Sequence, residues 1–410
     1  MWKNERKIVL LKNLVLLVLC VAVIGGLLYV MKTVQADRKV NDQQLLEVST
    51  ARKQEQAEEV QQAVANIQAE YERDMATVAE YLPGVVCWGD TLTSGSSGNV
   101  SYPDILQSLI NQDICDRYAF GSTIPSARDY PTLDWLSYRV SIPVVNMGGG
   151  NENTSTVLGR AGVVPIVTKE TFIIPADTTP VPISLVSQNG DAVVPVTNGM
   201  GLESVTIAGV EGTLSVSSVY GRGIRANYCY SFTRSEAGEV TEVPVKTEVV
   251  CSTAEQYRDY LHVIWVGSYD LPYNDPSLFV ERVRALVSRQ TQNSERYILI
   301  GPCVYNGQWN GNMYFLDQID QAMQQAFGNR YINLRKYLYT DGLSDAGITS
   351  TATDKADAAK GSVPTSFRSA AGIVELNGKA YNLIGRLVFD RMDKLGYFDE
   401  VRQELGITVR

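Results

Sequence analysis

Histidine is almost absent from this sequence, since His262 is the only one in 410 residues. A Ser-His-Asp triad, a histidine-rich zinc site and a histidine acid–base pair each need an imidazole beside the reacting atoms. These sites are therefore excluded unless His262 lies at the site. His262 opens an apolar run to Val266 that predicts a buried strand. At ~3.3 Å per residue, we expect the imidazole roughly 16 Å from the turn that follows.

Positive charge is also scarce, because 36 Lys and Arg residues face 45 Asp and Glu residues and leave a net charge of −9. Nucleic-acid binding depends on Lys and Arg that neutralise phosphates, so a nucleic-acid partner is not expected. Hydrophobic residues make up 45% of the chain and charged residues 20%, which is typical of a folded protein. The length predicts two or three domains.

The N-terminus carries an apolar run of eighteen residues, Leu14 to Met31, that contains no charged residue. Such a run is long enough to span a membrane, and the residues before it include Lys3, Arg6, Lys7 and Lys12. The positive-inside rule then predicts a cytoplasmic tail at 1–13, a span at 14–31 and an extracytoplasmic remainder. We predict a single-pass type II cell-membrane protein. The alternative is a signal peptide that is cleaved after Ala36.

A polar stretch at 32–82 follows the span, and it predicts a helical stalk. Between Val34 and Tyr81 there is no proline or glycine, and Gln, Glu and Ala are abundant. Apolar residues recur there at heptad spacing: Val60, Val64, Ile67, Tyr71, Val78 and Tyr81. This seam fits either a parallel coiled-coil homodimer or a single helix that packs its C-terminal seam against the head.

The head, at 83–154 and 251–410, repeats a strand–turn–helix pattern. Four apolar runs end in turns that contain glycine: 85–88, 142–145, 262–266 and 297–300. Helical patterns lie at 102–111, 276–290 and 312–327. Such repeats predict an α/β domain with a parallel sheet covered by helices on both faces. In that architecture the functional residues gather at the carboxyl ends of the strands.

Residues 155–250 interrupt this pattern. They carry short β-branched runs separated by Gly and Pro, and we find no helical period among them. Short strands at short spacing predict an inserted all-β module. Cys229 and Cys251 flank a hairpin-like stretch of this module, and we predict a disulfide between them. The five cysteines beyond the span cannot all pair within one chain.

The four turns together resemble the SGNH/GDSL hydrolase family. The matching segments are Gly89-Asp90-Thr91-Leu92-Thr93, Gly149 to Thr154, Gly267-Ser268-Tyr269-Asp270 and Gly372 to Asn377. The resemblance implies a flavodoxin-like SGNH three-layer fold. It places Thr91 at the nucleophile, Asn151 at the oxyanion glycine and Tyr269 at the oxyanion asparagine. Gly372 falls at the acid that orients the base, and Glu375 falls at the histidine base.

The same resemblance removes the usual mechanism. A serine hydrolase needs a base of near-neutral pKa and an acid that orients it, and Glu375 and Gly372 supply neither. We therefore predict a degenerate pseudo-esterase that binds glycan or scaffolds an envelope-protein assembly. The alternative is an active deacylase of O-acylated carbohydrate or lipid, with Thr91 as nucleophile and Glu375 as base. No cofactor is expected in either case.

The carboxyl edge of the predicted parallel sheet also supplies the ligand-binding candidates. We predict ligand contacts from polar and aromatic residues of the four turns: Asp90, Thr91, Asn151, Tyr269, Asp270, Glu375, Trp88 and Trp309. The aromatic rings fit either sugar stacking or ordinary packing. Asp90, Asp270 and Glu375 could ligate a hard cation, but hydrogen bonds that brace the turns explain them better, so no metal is predicted. A Ser/Thr/Ala-rich loop, interpreted as solvated surface, contains four further carboxylates: Asp341, Asp345, Asp354 and Asp357.

The membrane topology is directly testable. Protease added to intact cells should digest the head and leave a short protected fragment, because the basic flank orients residues 1–13 inward. Immunoblotting with an N-terminal tag measures that fragment. A fully protected chain would refute the orientation, and a secreted product that begins after Ala36 would establish cleavage.

Overall fold

A computed structural model gives the fold of this chain. The residues that it describes are 2–95, 100–115, 140–150, 152–162, 164–188, 190, 192–193, 204–220, 227–268, 276–288, 296–303, 313–370 and 375–407. They belong to two compact units. The first contains residues 2–70, and the second contains the described residues from Tyr71 onward.

Twelve α-helices lie among the described residues. They are α1 (Trp2–Tyr81), α2 (Thr91–Ser94), α3 (Tyr102–Ile110), α4 (Thr154–Arg160), α5 (Ser252–Gln256), α6 (Pro276–Ser288), α7 (Met313–Phe327), α8 (Leu334–Tyr337), α9 (Leu343–Asp345), α10 (Ala352–Ala358), α11 (Gly378–Lys394) and α12 (Asp399–Glu404). The helical patterns predicted at 102–111, 276–290 and 312–327 match α3, α6 and α7 to within two residues.

The strands number fourteen among the described residues. They are β1 (Val85–Gly89), β2 (Val144–Gly148), β3 (Ile166–Thr168), β4 (Phe172–Ile174), β5 (Val181–Ile183), β6 (Leu185–Ser187), β7 (Ser204–Ile207), β8 (Val210–Tyr220), β9 (Asn227–Arg234), β10 (Thr241–Val243), β11 (Glu248–Cys251), β12 (Leu261–Trp265), β13 (Tyr297–Ile300) and β14 (Tyr331–Ile332).

The first unit consists, in its described part, of α1 up to Glu70. This helix is long and apolar enough to cross a membrane, and none of its apolar window is buried. It is therefore a candidate membrane span, as the apolar run predicts. A signal sequence near the N-terminus has the same properties, so the alternative of cleavage stays open.

The last turns of α1 belong to the second unit and pack against its core. Val78 is buried there, and Tyr71, Met75 and Tyr81 are partly buried against the same cluster. Over this stretch the heptad seam is covered by the head, as expected for a helix that packs its C-terminal seam. The homodimer therefore stays a prediction for the seam residues before Tyr71.

A parallel five-stranded sheet forms the centre of the second unit. Its strands lie in the order β14-β13-β12-β1-β2, and every neighbouring pair is parallel. Numbered along the chain within this sheet, that order is 2-1-3-4-5, which is the flavodoxin-like doubly wound order. The predicted α/β class is thus confirmed, and the short strand β14 was missed. Apolar clusters cover both faces of the sheet.

Residues 166–251 form antiparallel sheets, as the β-branched runs predict. The larger sheet has the order β5-β9-β8-β7-β11-β3-β6. Strands β5 and β6 are separated only by Ser184, and β5 pairs with β9 while β6 pairs with β3. Because one chain segment serves both edges, the sheet nearly closes on itself, which protects edges that could otherwise pair with other chains.

Helix α4 is a short element that the sequence pattern did not predict. All seven of its residues are buried, and Val157 and Leu158 belong to the apolar cluster that includes Val86 and Trp88 of β1. Residues 155–160 therefore pack with the parallel sheet, although the sequence analysis assigned them to the β module. A helix of two turns is too short to display a helical period in the sequence.

Truncation of Leu158 tests this assignment. Leu158→Ala should lower the free energy of unfolding by about 2–5 kcal/mol, because it leaves a cavity beside the parallel sheet. The matched control is Val240→Ala, at a side chain that is 63% exposed and should change stability by less than ~0.5 kcal/mol. Urea unfolding of the detergent-solubilised chain, followed by tryptophan fluorescence, measures both. Equal effects would contradict the placement of α4 in the core.

Candidate functional site

The parallel sheet brings the predicted turns to one edge. Gly89, at the end of β1, lies beside Gly148 at the end of β2 and Trp265 at the end of β12. Strand β1 is the first strand of this sheet along the chain. The chain continues to β2 on one side of β1 and then returns to β12 on its other side, so the strand order reverses at β1. Ligands of doubly wound sheets bind at such a switch point, at the carboxyl ends of the strands. The candidate site is therefore this edge.

The first turn is built by Asp90. Its carboxylate oxygen Oδ1 accepts a hydrogen bond from the Leu92 N–H at 2.9 Å, so Asp90 caps α2, and its side chain is buried. Thr91 is the first residue of α2 and is partly exposed. The turn thus presents Thr91 at the edge, while Asp90 has a structural role in holding the helix start.

The second turn is tied to the first by backbone contacts. The Gly149 N–H donates to the Gly89 carbonyl at 2.9 Å, and the Gly148 N–H donates to Oδ1 of Asn146 at 3.0 Å. A Cβ on Gly148 would overlap the backbone of Thr93 and Ser94, so only glycine allows the two turns to approach this closely. Asn151, the predicted oxyanion position, lies outside the described residues.

A buried ion pair lies behind this turn. The Glu152 carboxylate accepts two hydrogen bonds from the Arg160 guanidinium, and both side chains are fully buried. Arg160 also donates to the Met147 carbonyl at 2.9 Å, and its guanidinium carbon lies 5.7 Å from the centre of the Trp88 ring. Burial raises the pKa of Glu152, and the charge of Arg160 opposes that rise.

The sequence analysis missed this pair for a physical reason. Glu152 belongs to the quoted segment of the second turn, but Arg160 stands eight residues later, at the end of α4. Only the buried path of α4 brings the two charges together. An isolated arginine at the end of a short run resembles ordinary surface charge, so a family-wide alignment would be the signal that reveals it.

His262 lies where the strand pattern predicts, at the start of β12 and opposite Val86. It is buried, and its Nδ1 accepts a hydrogen bond from the Trp88 indole N–H at 3.0 Å. Burial lowers the pKa of His262 to about 4, although the carbonyls of Tyr257 and Arg258 favour the charged form. The imidazole is therefore neutral at pH 7 and serves the core.

Trp88 does not fit its predicted role as a stacking surface. Its side chain is 1% exposed and packs edge-on against Tyr257, while its indole N–H is bonded to His262. A ring enclosed in this way offers no face to a ligand. The alternative of ordinary core packing is the one that its position supports. Trp309 lies outside the described residues.

The third and fourth turns are joined by Ser268. Its hydroxyl oxygen accepts a hydrogen bond from the Cys303 N–H at 3.0 Å, and both side chains are buried. Burial raises the pKa of the Cys303 thiol well above its ordinary value, so this cysteine is not a nucleophile at pH 7. Tyr269 and Asp270 lie outside the described residues.

Glu375 lies just before α11. Its carbonyl accepts a hydrogen bond from the Ser369 N–H at 2.8 Å, and its side chain is partly exposed. Gly372 lies outside the described residues. Across the described part of the chain, no carboxylate or hydroxyl makes a hydrogen bond to the Glu375 side chain, so nothing there orients it as a base.

Asp354 and Asp357, which the sequence analysis interpreted as solvated surface, hold the segment that precedes Glu375. Asp354 is buried, caps α10 and accepts hydrogen bonds from the Ser366 N–H at 2.9 Å and the Ser366 hydroxyl at 2.8 Å. Asp357 accepts from the Thr365 N–H at 2.8 Å and pairs with Arg368 at 2.9 Å. The expectation of solvated surface was wrong for these two residues, because their carboxylates accept hydrogen bonds from backbone N–H groups of the segment that precedes Glu375. Asp341 and Asp345 are exposed, as expected.

The predicted disulfide is also corrected. Cys229 lies in β9 and Cys251 in β11, and β8 and β7 separate these two strands in the sheet. Cys229 lies opposite Ser218 of β8, whereas Cys251 is in register with Gly212 of that strand, six residues away. At ~3.3 Å per residue this offset alone far exceeds the roughly 7 Å between Cα atoms that a disulfide allows. The two sulfur atoms are therefore not bonded to each other.

Among the described residues, no group of three or more His, Cys, Asp or Glu side chains is placed to hold a metal ion. Asp270, one of the three carboxylates considered as a cation ligand, lies outside that part of the chain. Asp90 has the bracing role considered for it, as the cap of α2.

No family model matches the sequence, and no curated protein matches it. A solved structure described as "Peptidoglycan O-acetylesterase in action, 5 min" aligns with 82% of this chain and 96% of its own, at 10% identity and a TM-score of 0.29. A TM-score this low does not establish a shared fold. The fold assignment above depends on the strand order alone.

The buried ion pair generates a stability prediction. Glu152→Gln should lower the free energy of unfolding by about 3–5 kcal/mol, because it leaves the Arg160 charge buried without a counter-charge. Arg160→Met should be similarly costly, and the double variant should cost less than the sum. Glu255→Gln is the control, since that side chain is 71% exposed and its pair with Arg258 should contribute less than ~1 kcal/mol. Additive effects in urea unfolding would argue against coupling of the two charges.

Proposed function

We propose that this chain is a membrane-anchored protein whose head has the layout of an SGNH hydrolase and binds glycan without hydrolysing it. The observation that carries the proposal is the position of His262. The only imidazole of the chain lies in the core, hydrogen-bonded to Trp88, at the opposite end of its strand from the candidate site. No imidazole is therefore available to take a proton from a nucleophile at the edge.

The remaining catalytic positions support the same reading. Asp90 caps α2. Glu375 stands where the resemblance places the base, and within the described chain no side chain holds its carboxylate toward a threonine hydroxyl. The edge keeps hydrogen-bonding groups such as Thr91, which a binding site can use.

Aromatic residues near the carboxyl edge favour a sugar ligand. In the sequence, Tyr269, Tyr305 and Trp309 follow the third and fourth strands. Among the described residues, Tyr314 stands in the first turn of α7, just beyond the fourth turn, and its side chain is 72% exposed. Exposed aromatic rings stack on the apolar faces of sugar rings. The anchor and stalk would hold such a binding head at the outer face of the membrane.

The competing function is ester hydrolysis with Thr91 as nucleophile and Glu375 as base. The observation that favours it is the place of Thr91 at the start of α2, partly exposed at the carboxyl edge of the sheet. It would act on O-acylated carbohydrate or lipid. A scaffolding role in an envelope assembly, with no small ligand, is the third possibility.

Ester hydrolysis separates these functions. We expect the purified full chain in detergent to hydrolyse p-nitrophenyl acetate and an O-acetylated polysaccharide no faster than its Thr91→Ala variant. Each missing oxyanion donor or base costs about 3 kcal/mol or more of transition-state stabilisation. Glu375→Gln should likewise leave the background rate unchanged. Labelling of Thr91 by a fluorophosphonate probe, abolished in Glu375→Gln, would overturn the proposal and establish the hydrolase.

A further inference from the structure

A second concave surface lies on the head between α9 and α11. It is a cavity of about 370 Å³, at the lower end of the ~300–1,000 Å³ typical of small-molecule sites. Its lining residues come from the end of α9 and the first three turns of α11: Asp345, Ala346, Gly378, Lys379, Asn382, Leu383 and Arg386. It begins three residues after Glu375 and therefore adjoins the last block of the candidate site.

The polar side of this cavity is one face of α11. Lys379, Asn382 and Arg386 are spaced i, i+3 and i+7, which places them in a row along a helix. Within the described chain, none of these three side chains makes a hydrogen bond or an ion pair. Two cations and an amide in an acidic protein thus line this cavity, and all three residues are exposed to solvent and open to a ligand.

The opposite wall supplies an acceptor and an apolar floor. The Tyr337 hydroxyl donates to Oδ2 of Asp345 at 2.6 Å, which fixes the orientation of that carboxylate. Leu383 and Ala346 contribute the apolar surface. A sugar ring has one apolar face and hydroxyl groups around it, so this combination of groups is complementary to a sugar.

We propose that the cavity binds a sugar unit that carries an oxyanion group, either a carboxylate or a phosphate. Lys379 and Arg386 would hold the anionic group, because charge-assisted hydrogen bonds from lysine and arginine are the strong contacts of such groups. Asp345 and Asn382 would bind ring hydroxyls, and Leu383 would contact the apolar ring face. The proposal deepens the proposed function and rests on it, since it names the class of glycan that the head selects.

Binding to defined sugars tests the proposal on the full chain in detergent micelles. The probes are tri-galacturonic acid, glucose 6-phosphate and neutral maltotriose, measured by saturation-transfer NMR and calorimetry. We expect one of the two anionic probes to bind at least about tenfold more tightly than the neutral one. Whichever anionic probe binds identifies the oxyanion. Equal binding of all three, or no binding of either anionic probe, overturns the inference.

Charge-removing variants locate the binding. Lys379→Met together with Arg386→Met should weaken binding of the anionic probe at least about tenfold, because two charge-assisted contacts are lost. The matched control is Lys394→Met, an exposed cation at the far end of the same helix, which should change binding less than about twofold. Unchanged melting temperatures show that the variants are folded.

Probe binding to these variants and to Thr91→Ala also distinguishes a failure of the cavity assignment from a failure of the proposed function. If the anionic probe binds the Lys379→Met/Arg386→Met variant as well as the parent but fails to bind Thr91→Ala, the head binds glycan elsewhere and the cavity assignment is wrong. If binding depends on Lys379 and Arg386 while Thr91-dependent ester hydrolysis is found, the cavity assignment stands and the non-catalytic function falls.

Discussion

Two charges without access to solvent, on Glu152 and Arg160, fix the arrangement around the candidate site. Neither side chain is accessible to solvent, so each charge depends on the other, and Arg160 also donates to the Met147 carbonyl. The carboxylate occupies the space where a side chain on Gly149 would lie, which ties the second turn to α4. The guanidinium packs against the Trp88 ring and thereby connects the turn to the central strand. Displacing any one of these groups would expose a buried charge.

Trp88 contacts both this ion pair and the only histidine of the chain. The indole ring packs against the Arg160 guanidinium, and its N–H donates to Nδ1 of His262. A neutral, buried His262 stabilises the sheet but supplies no proton transfer at the edge. The one imidazole of the chain is thus engaged in packing at the far end of its strand, and this placement underlies the proposed binding function.

Away from the carboxyl edge of the parallel sheet, the head has a second group of polar side chains, at the cavity beside α11. The segment before Glu375 is held by Asp354 and Asp357, so α11 begins at a fixed position. That helix then displays Lys379 and Arg386 toward the cavity beside α9. Because the start of α11 is fixed, side chains seven residues apart on this helix keep a constant backbone spacing and can form one binding surface. Backbone motion at that point would otherwise have to be lost on binding, at a cost in conformational entropy.

The sequence by itself determined the elements with strong local signals. Apolar runs that end in glycine turns predicted the four main strands of the parallel sheet, an uninterrupted polar stretch predicted the stalk helix, and β-branched runs predicted the antiparallel sheets. It also placed His262 away from the site, because strand length is fixed by geometry. Only the tertiary structure decided the pairing of Glu152 with Arg160, the burial of Trp88, the bracing by Asp354 and the separation of Cys229 from Cys251. These depend on contacts between residues distant along the chain or hidden in short elements, and a buried charge or ring has the same sequence signal as an exposed one until the core encloses it.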